Sequence, residues 1–171
     1  AVALLPEDPE AFFNFCNSLR QVDRLQEAER LCRETLESKP ENAVARNNLA
    51  LVLLRDGRVT EAEQEARRAL ELAPGYVEAQ RNLAAALIQL GRFHEALFLQ
   101  REVVTALPKL ALAWRDLGYV LHQLGEEDGA DEAWGRALEL DPTDAENWVS
   151  LAQGQIDKGA FAAAEDSLRQ A

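Results

Sequence analysis

The 171-residue chain has no methionine, two cysteines and few aromatic residues, 6% of the total. Lacking even an initiator methionine, it reads as a piece of a longer protein or a processed product. Its first residues, Ala1 to Pro6, have no basic flank and are too short for a signal peptide. Targeting segments could have been removed with the rest, so the compartment stays open. The scarcity of aromatics argues against a sheet core. Alanine and leucine supply most of the 47% hydrophobic content, which suits closely packed helices. Positive charge is also short: 18 Lys and Arg stand against 30 Asp and Glu, a net charge of −12. Most of such a surface repels a phosphate backbone or an anionic membrane, because binding to either rests on Lys and Arg. No apolar run approaches the roughly 20 residues that span a bilayer. The chain also lacks a phosphate loop, a G-x-S-x-G elbow and an H-E-x-x-H helix. Its carboxylates have the spacing of solvated helix faces. These absences predict no enzyme, no cofactor and no metal.

What is present is a period. Pro6, Pro40, Pro74, Pro108 and Pro142 stand 34 residues apart. At a background of about 5% proline, four such coincidences have odds of roughly one in a hundred thousand. A fixed period of this length marks a stacked repeat. Other columns keep the step: Gly57, Gly91, Gly125 and Gly159, with Asp23 in the first slot; Ala28, Ala62, Ala96, Ala130 and Ala164; Leu49, Leu83, Leu117 and Leu151. A looser column holds Phe12, Arg46, Gln80, Trp114 and Trp148.

Each unit reads as two helices. Asn42 caps the first of one unit, and Val44, Leu49, Val52 and Leu53 give it an apolar face. Gly57 closes it in the left-handed conformation. Thr60, with Glu63 three residues on, predicts a capping box for the second, which stops before Pro74. First helices are expected at Pro9–Gln21, Ala43–Arg55, Val77–Gln89, Ala111–Gln123 and Ala145–Asp157. Second helices are expected at Leu25–Ser38, Val59–Leu72, Phe93–Ala106, Glu127–Leu140 and Phe161–Ala171. The alanine column lets the two helices approach closely; leucine there overpacks the contact by about 1–3 kcal/mol. The expected organisation is one domain over 1–171: the tail of a preceding repeat at 1–8, repeats at 9–42, 43–76, 77–110 and 111–144, and an incomplete one at 145–171. Repeat arrays need polar caps and none is visible at the C-terminus, which predicts flanking repeats or an end-to-end contact between copies.

The run Ala111–Tyr119, followed by Gly125, Ala130, Ala137 and Pro142, resembles a tetratricopeptide repeat, and all five units fit. The resemblance implies an all-α, right-handed superhelical solenoid of helix-turn-helix repeats, with first helices lining a concave groove that takes peptides or proteins. Asp23 departs from the turn glycine. Arg46 and Gln80 replace the bulky residue found at Trp114, which predicts looser packing at those joints.

On the first helices one column reads Asn14, Asn48, Asn82, Asp116 and Ser150. An asparagine amide both donates and accepts, so a row of them can pair with an extended peptide backbone. The row resembles the asparagine ladder in the repeat domain of O-linked N-acetylglucosamine transferases. Asn14, Asn48 and Asn82 match it; Asp116 and Ser150 do not. Asparagines that only contact water fit the column equally well. Around it the groove face is expected to carry Asn17, Asn47, Arg81, Arg115, Tyr119 and His122. The arginines can fork onto carboxylates, or can be solvated charges beside acidic helices. The carboxylate clamp that some family members use for chaperone C-termini fails in every register. Phe13 and Glu78 stand where lysines are required, and later registers place Leu51 and Leu112, or Ala85 and Glu146, in clamp positions.

Trp114 and Trp148 read as inter-repeat core, Trp134 as packing on a second helix and His94 as exposed. Cys16 and Cys32 read as two buried small residues, although a disulfide between their helices is geometrically allowed. The expected function is a protein-interaction module that binds an extended peptide or protein segment. Two alternatives remain: a substrate-recruiting domain of a larger enzyme such as a glycosyltransferase, and a self-assembly scaffold using the incomplete ends or apolar groove residues such as Phe13, Leu51 and Leu112.

Overall fold

A computed structural model of the chain describes residues 24–171. The expectations for Asn14, Asn17, Phe12, Phe13, Cys16, Asp23 and the helix at Pro9–Gln21 lie outside the described residues. The described residues form helices and no strand. The helices are α1 (Leu25–Ser38), α2 (Ala43–Arg55), α3 (Val59–Leu72), α4 (Val77–Gln89), α5 (Phe93–Ala106), α6 (Ala111–Gln123), α7 (Glu127–Leu140), α8 (Ala145–Asp157) and α9 (Phe161–Gln170). The bounds coincide with those read from the repeat, except that α9 ends one residue earlier. The described residues divide into two compact units, one ending at Gly91 and the other Arg92–Ala171.

In the first unit α1 packs on α2, α2 on α3 and α3 on α4. In the second, the sequence α5 to α9 packs in the same neighbour-by-neighbour way. The alanine column lies in these contacts, with Ala28, Ala62, Ala96 and Ala130 fully buried and Ala164 nearly so. Around Ala28 and Ala62 the core of the first unit gathers Leu31, Cys32, Ala45, Leu49, Val52 and Leu53. The turn glycines adopt φ between 72° and 77°, a region that costs any residue with a Cβ about 1–2 kcal/mol.

The helix starts differ in part from the sequence reading. Asn42 accepts from the Ala45 N–H at 2.9 Å, as a cap should. The expected capping box at Thr60 does not form. α3 begins at Val59, its N-cap is Arg58, and no side chain caps it. Arg58 instead donates to both carboxylate oxygens of Glu61 at 2.7 Å and to Glu29 on α1 at 2.8 Å. Glu61 sits in the first turn of α3, where the free N–H groups favour negative charge. The same pair recurs as Arg24 with Glu27 and Arg92 with Glu95. The signal was a 34-residue Arg column with a Glu column three residues behind it.

Arg46 also departs from expectation. Trp114 and Trp148 are half-buried rather than core, and each indole N–H donates at 2.9 Å to the carbonyl of the repeat proline six residues earlier. Arg46 donates to the equivalent Pro40 carbonyl at 2.7 Å and pairs with Glu65 at 2.8 Å. What these three residues share is an N–H aimed at the proline turn, a contact that arginine keeps where tryptophan is absent.

Trp134 packs as expected and is 1% exposed. Its repeat equivalents are Cys32, Ala66, Gln100 and Leu168. Room for the indole comes from Gly118 on α6 and Gly154 on α8. A Cβ on either would stand 2.5 Å or less from the ring.

Candidate interaction face

First helices present their faces through a 34-residue step, so contacts between neighbouring first helices recur at fixed offsets. In the first unit Asn47 and Asn48 on α2 are 1% and 2% exposed. Asn82 on α4 donates its amide N–H to Asn47 Oδ1 at 2.7 Å. Asn47 in turn donates to the Tyr76 hydroxyl at 3.3 Å. Asn47 therefore lies between helices instead of on an open face, and its amide is spent internally. Burial and Glu78 push the Tyr76 phenol upward, partly offset by the Asn47 bond. Asn48 Nδ2 is buried without a hydrogen-bond partner. An orphaned buried donor costs about 1–3 kcal/mol. The two asparagines of the expected ladder thus differ: Asn82 has committed its N–H, while Asn48 has not.

The arginine column divides in the same way. Arg115 on α6 bridges Asp144 at 2.9 Å and Glu146 at 2.8 Å, the N-cap and the first turn of α8. In sequence, positions 29 and 31 beyond Arg81 are Leu110 and Leu112 in place of the two acids. Arg81 is half-buried on α4. Asp116 is half-buried, and Ser150 donates to the Glu146 carbonyl of its own helix at 2.8 Å. Tyr119 is exposed, with Phe93 edge-on to its ring at 6.3 Å.

His122 closes α6 against α7 and α8. Its Nδ1 lies 3.1 Å from Glu127 and its Nε2 2.8 Å from Asp157. Burial pushes the imidazole down, and the bonds to Asp157 and Glu127 outweigh it, leaving the group above its ordinary 6.5. Glu127 is lowered in return by His122. Lys158 completes the cluster, 2.7 Å from Asp131 and 3.3 Å from Glu127. The expectation that His122 lines an open groove missed these partners. The signal lay in the offset of 35, one repeat plus one residue, which joins His122 to Asp157 as it joins Asn47 to Asn82. His94 is exposed. Among the described residues no group of His, Cys, Asp and Glu converges as a metal site, and no helix is long and apolar enough to cross a membrane.

Three sequence profiles described as tetratricopeptide repeat match residues 15–77, 77–106 and 111–144. The chain is a tetratricopeptide repeat protein. No curated protein sequence matches it. Its fold is similar to that of MamA from Desulfovibrio magneticus RS-1, with TM-score 0.82 and 20% identity over 97% of this chain and 94% of that one. TTC0263, a thermophilic repeat protein of Thermus thermophilus, superposes with TM-score 0.78 and 23% identity over 96% and 92%. YrrB, described as a tetratricopeptide protein with an unusual peptide-binding site, gives 0.74 and 22% over 96% and 84%. At these identities the likeness is one of fold. The matched families are interaction repeats, and none is catalytic.

Proposed function

We propose that this tetratricopeptide repeat module holds an extended peptide or protein segment along its first-helix face. In this reading Asn82 offers its carbonyl oxygen to a ligand N–H and Arg81 selects a carboxylate, while Asn48 lies buried beneath that face. The observation that carries it is the contrast within one column: Arg115 is held by two acids at the start of α8, whereas leucines stand at the matching sequence positions for Arg81. A half-buried guanidinium in that setting is a fork for a carboxylate.

The test is selection from a displayed random-peptide library, followed by titration of the enriched peptides against the parent protein and Arg81→Ala. Enriched peptides should share an Asp, a Glu or a free C-terminus at one position. Arg81→Ala should weaken them by at least tenfold, while neutral versions of the same peptides bind the two proteins alike. Enrichment without a shared carboxylate would sink the reading. The same experiment on the chain within any longer parent protein separates a free-standing module from a substrate-recruiting domain.

A second reading has its own observation. Val149 and Ile156 on α8 and Phe161 and Leu168 on α9 are exposed by 38–68%. They occupy the repeat positions of Arg115, His122, Glu127 and Trp134. This apolar face favours self-association, and sedimentation velocity across a concentration series should then show a dimer that Phe161→Glu abolishes.

A further inference from the structure

Both ring nitrogens of His122 face carboxylates. Nδ1 looks at Glu127 in the first turn of α7 and Nε2 at Asp157 in the last turn of α8. A neutral imidazole has one N–H and one lone pair, so it satisfies one of these contacts and turns a lone pair toward the other carboxylate. Only the imidazolium donates to both. The ring is 11% exposed, which leaves little room for water to replace the missing donor. Its surroundings favour the charged form in two more ways. His122 lies in the last turn of α6, where helix carbonyls attract a cation. The Trp134 ring stands 5.6 Å away, tilted by 50°, within the range of a cation–π contact.

The charged groups around the ring come from two helix segments. Glu127 and Asp131 belong to α7, and Asp157 and Lys158 to the end of α8. Lys158 opposes protonation of the ring but is itself held by Asp131 at 2.7 Å. Gln153 donates to Asp157 Oδ1 at 3.0 Å, leaving Oδ2 directed at the imidazole. Glu127 and Asp157 are the carboxylates within hydrogen-bond reach of the ring nitrogens.

We infer that His122 is a proton-operated clasp between the α6–α7 hairpin and α8, closed by the imidazolium and weakened when the ring is neutral. The inference rests on the geometry of one unit and is independent of the peptide-binding reading. The direction follows from linkage. A histidine raised above its ordinary value contributes stability that is complete below that value and lost as pH rises through the raised one. The joint is therefore tightest below the ordinary imidazole value and loosens as pH rises through the raised one.

Two measurements on the labelled full chain test this. Imidazole NMR gives the His122 midpoint in the wild type and in Asp157→Asn, which removes the charge that α8 contributes. Amide hydrogen exchange, with the intrinsic rate divided out, gives the protection of α8 and α9 across the same pH range. The wild-type midpoint should exceed that of Asp157→Asn. Protection of α8 and α9 should fall through the wild-type midpoint by about tenfold for each unit separating the two. The fall should be lost in His122→Gln, or in Glu127→Gln/Asp157→Asn if that variant does not fold. Protection that stays level while His122 titrates would overturn the clasp, as would equal midpoints in the two proteins.

Discussion

The wedge at Trp134 permits a prediction in which the sign of a substitution depends on its neighbour. Gly154 stands where other repeats carry Val120, Ala86 and Val52. On helix propensity alone, Gly154→Ala stabilises α8 by about 1 kcal/mol. Against this, its new Cβ would lie 2.2 Å from Trp134 Cζ3 and 2.8 Å from Cη2. The ring cannot slide away, because a shift toward α6 is limited by Gly118, whose own ideal Cβ position is 2.5 Å from Cδ1 and Nε1. Overpacking a rigid indole costs about 1–3 kcal/mol, and these distances place the case at the upper end. The net effect of Gly154→Ala in the native background is a loss of about 1–2 kcal/mol. In a Trp134→Leu background the obstacle is gone, and the same substitution should gain about 1 kcal/mol. Leucine is acceptable there, since Leu168 holds the equivalent position, and it removes a buried indole N–H that has no partner. The four proteins form a double-mutant cycle with a coupling of about 2–3 kcal/mol. Urea unfolding followed by far-UV circular dichroism measures it. If Gly154→Ala costs the same in both backgrounds, or stabilises beside Trp134, the size-compensation argument is refuted.

Two further predictions concern the first unit. Asn47→Ala strips the acceptor from Asn82 and the donor from Tyr76 and should cost about 1–3 kcal/mol in urea unfolding. It should also move the Tyr76 phenol further upward, because the lost bond was lowering it, a change visible in alkaline absorbance titration. Glu29 is pushed up by burial but pulled down further by Arg33 and Arg58, to a net value below 4.5. Its contribution is complete above the ordinary carboxylate range and lost as pH falls through the lowered value. Glu29→Gln should thus lower the melting temperature at pH 7 and leave it unchanged at the acid end, as read by thermal melts across pH.

Much of the architecture was legible because a repeat compares a sequence with itself. Among the described residues four repeat prolines and four glycines mark where helices stop, through a missing N–H and a positive φ, and both effects are local to the residue. Helix bounds followed to within a residue. The capping box at Thr60 failed because the N-cap is Arg58, two residues earlier, where the side chain joins Glu61 of its own helix to Glu29 of another. Arg46 was misread because residue size was compared when the shared chemistry was an N–H for the Pro40 carbonyl.

The amino-acid sequence by itself determined the all-α repeat fold, its period and the helices, since propensity, turn chemistry and burial pattern act within one 34-residue unit and then recur. Only tertiary structure decided which polar side chains of the first helices remain available. Asn47, Asn82, Arg115 and His122 look alike in sequence as members of exposed columns. Packing one repeat on the next brings residue 47 to residue 82, residue 115 to residues 144 and 146, and residue 122 to residue 157, and those contacts consume them. A column of identical residues need not share one role, because each member meets whatever its neighbouring repeat happens to carry.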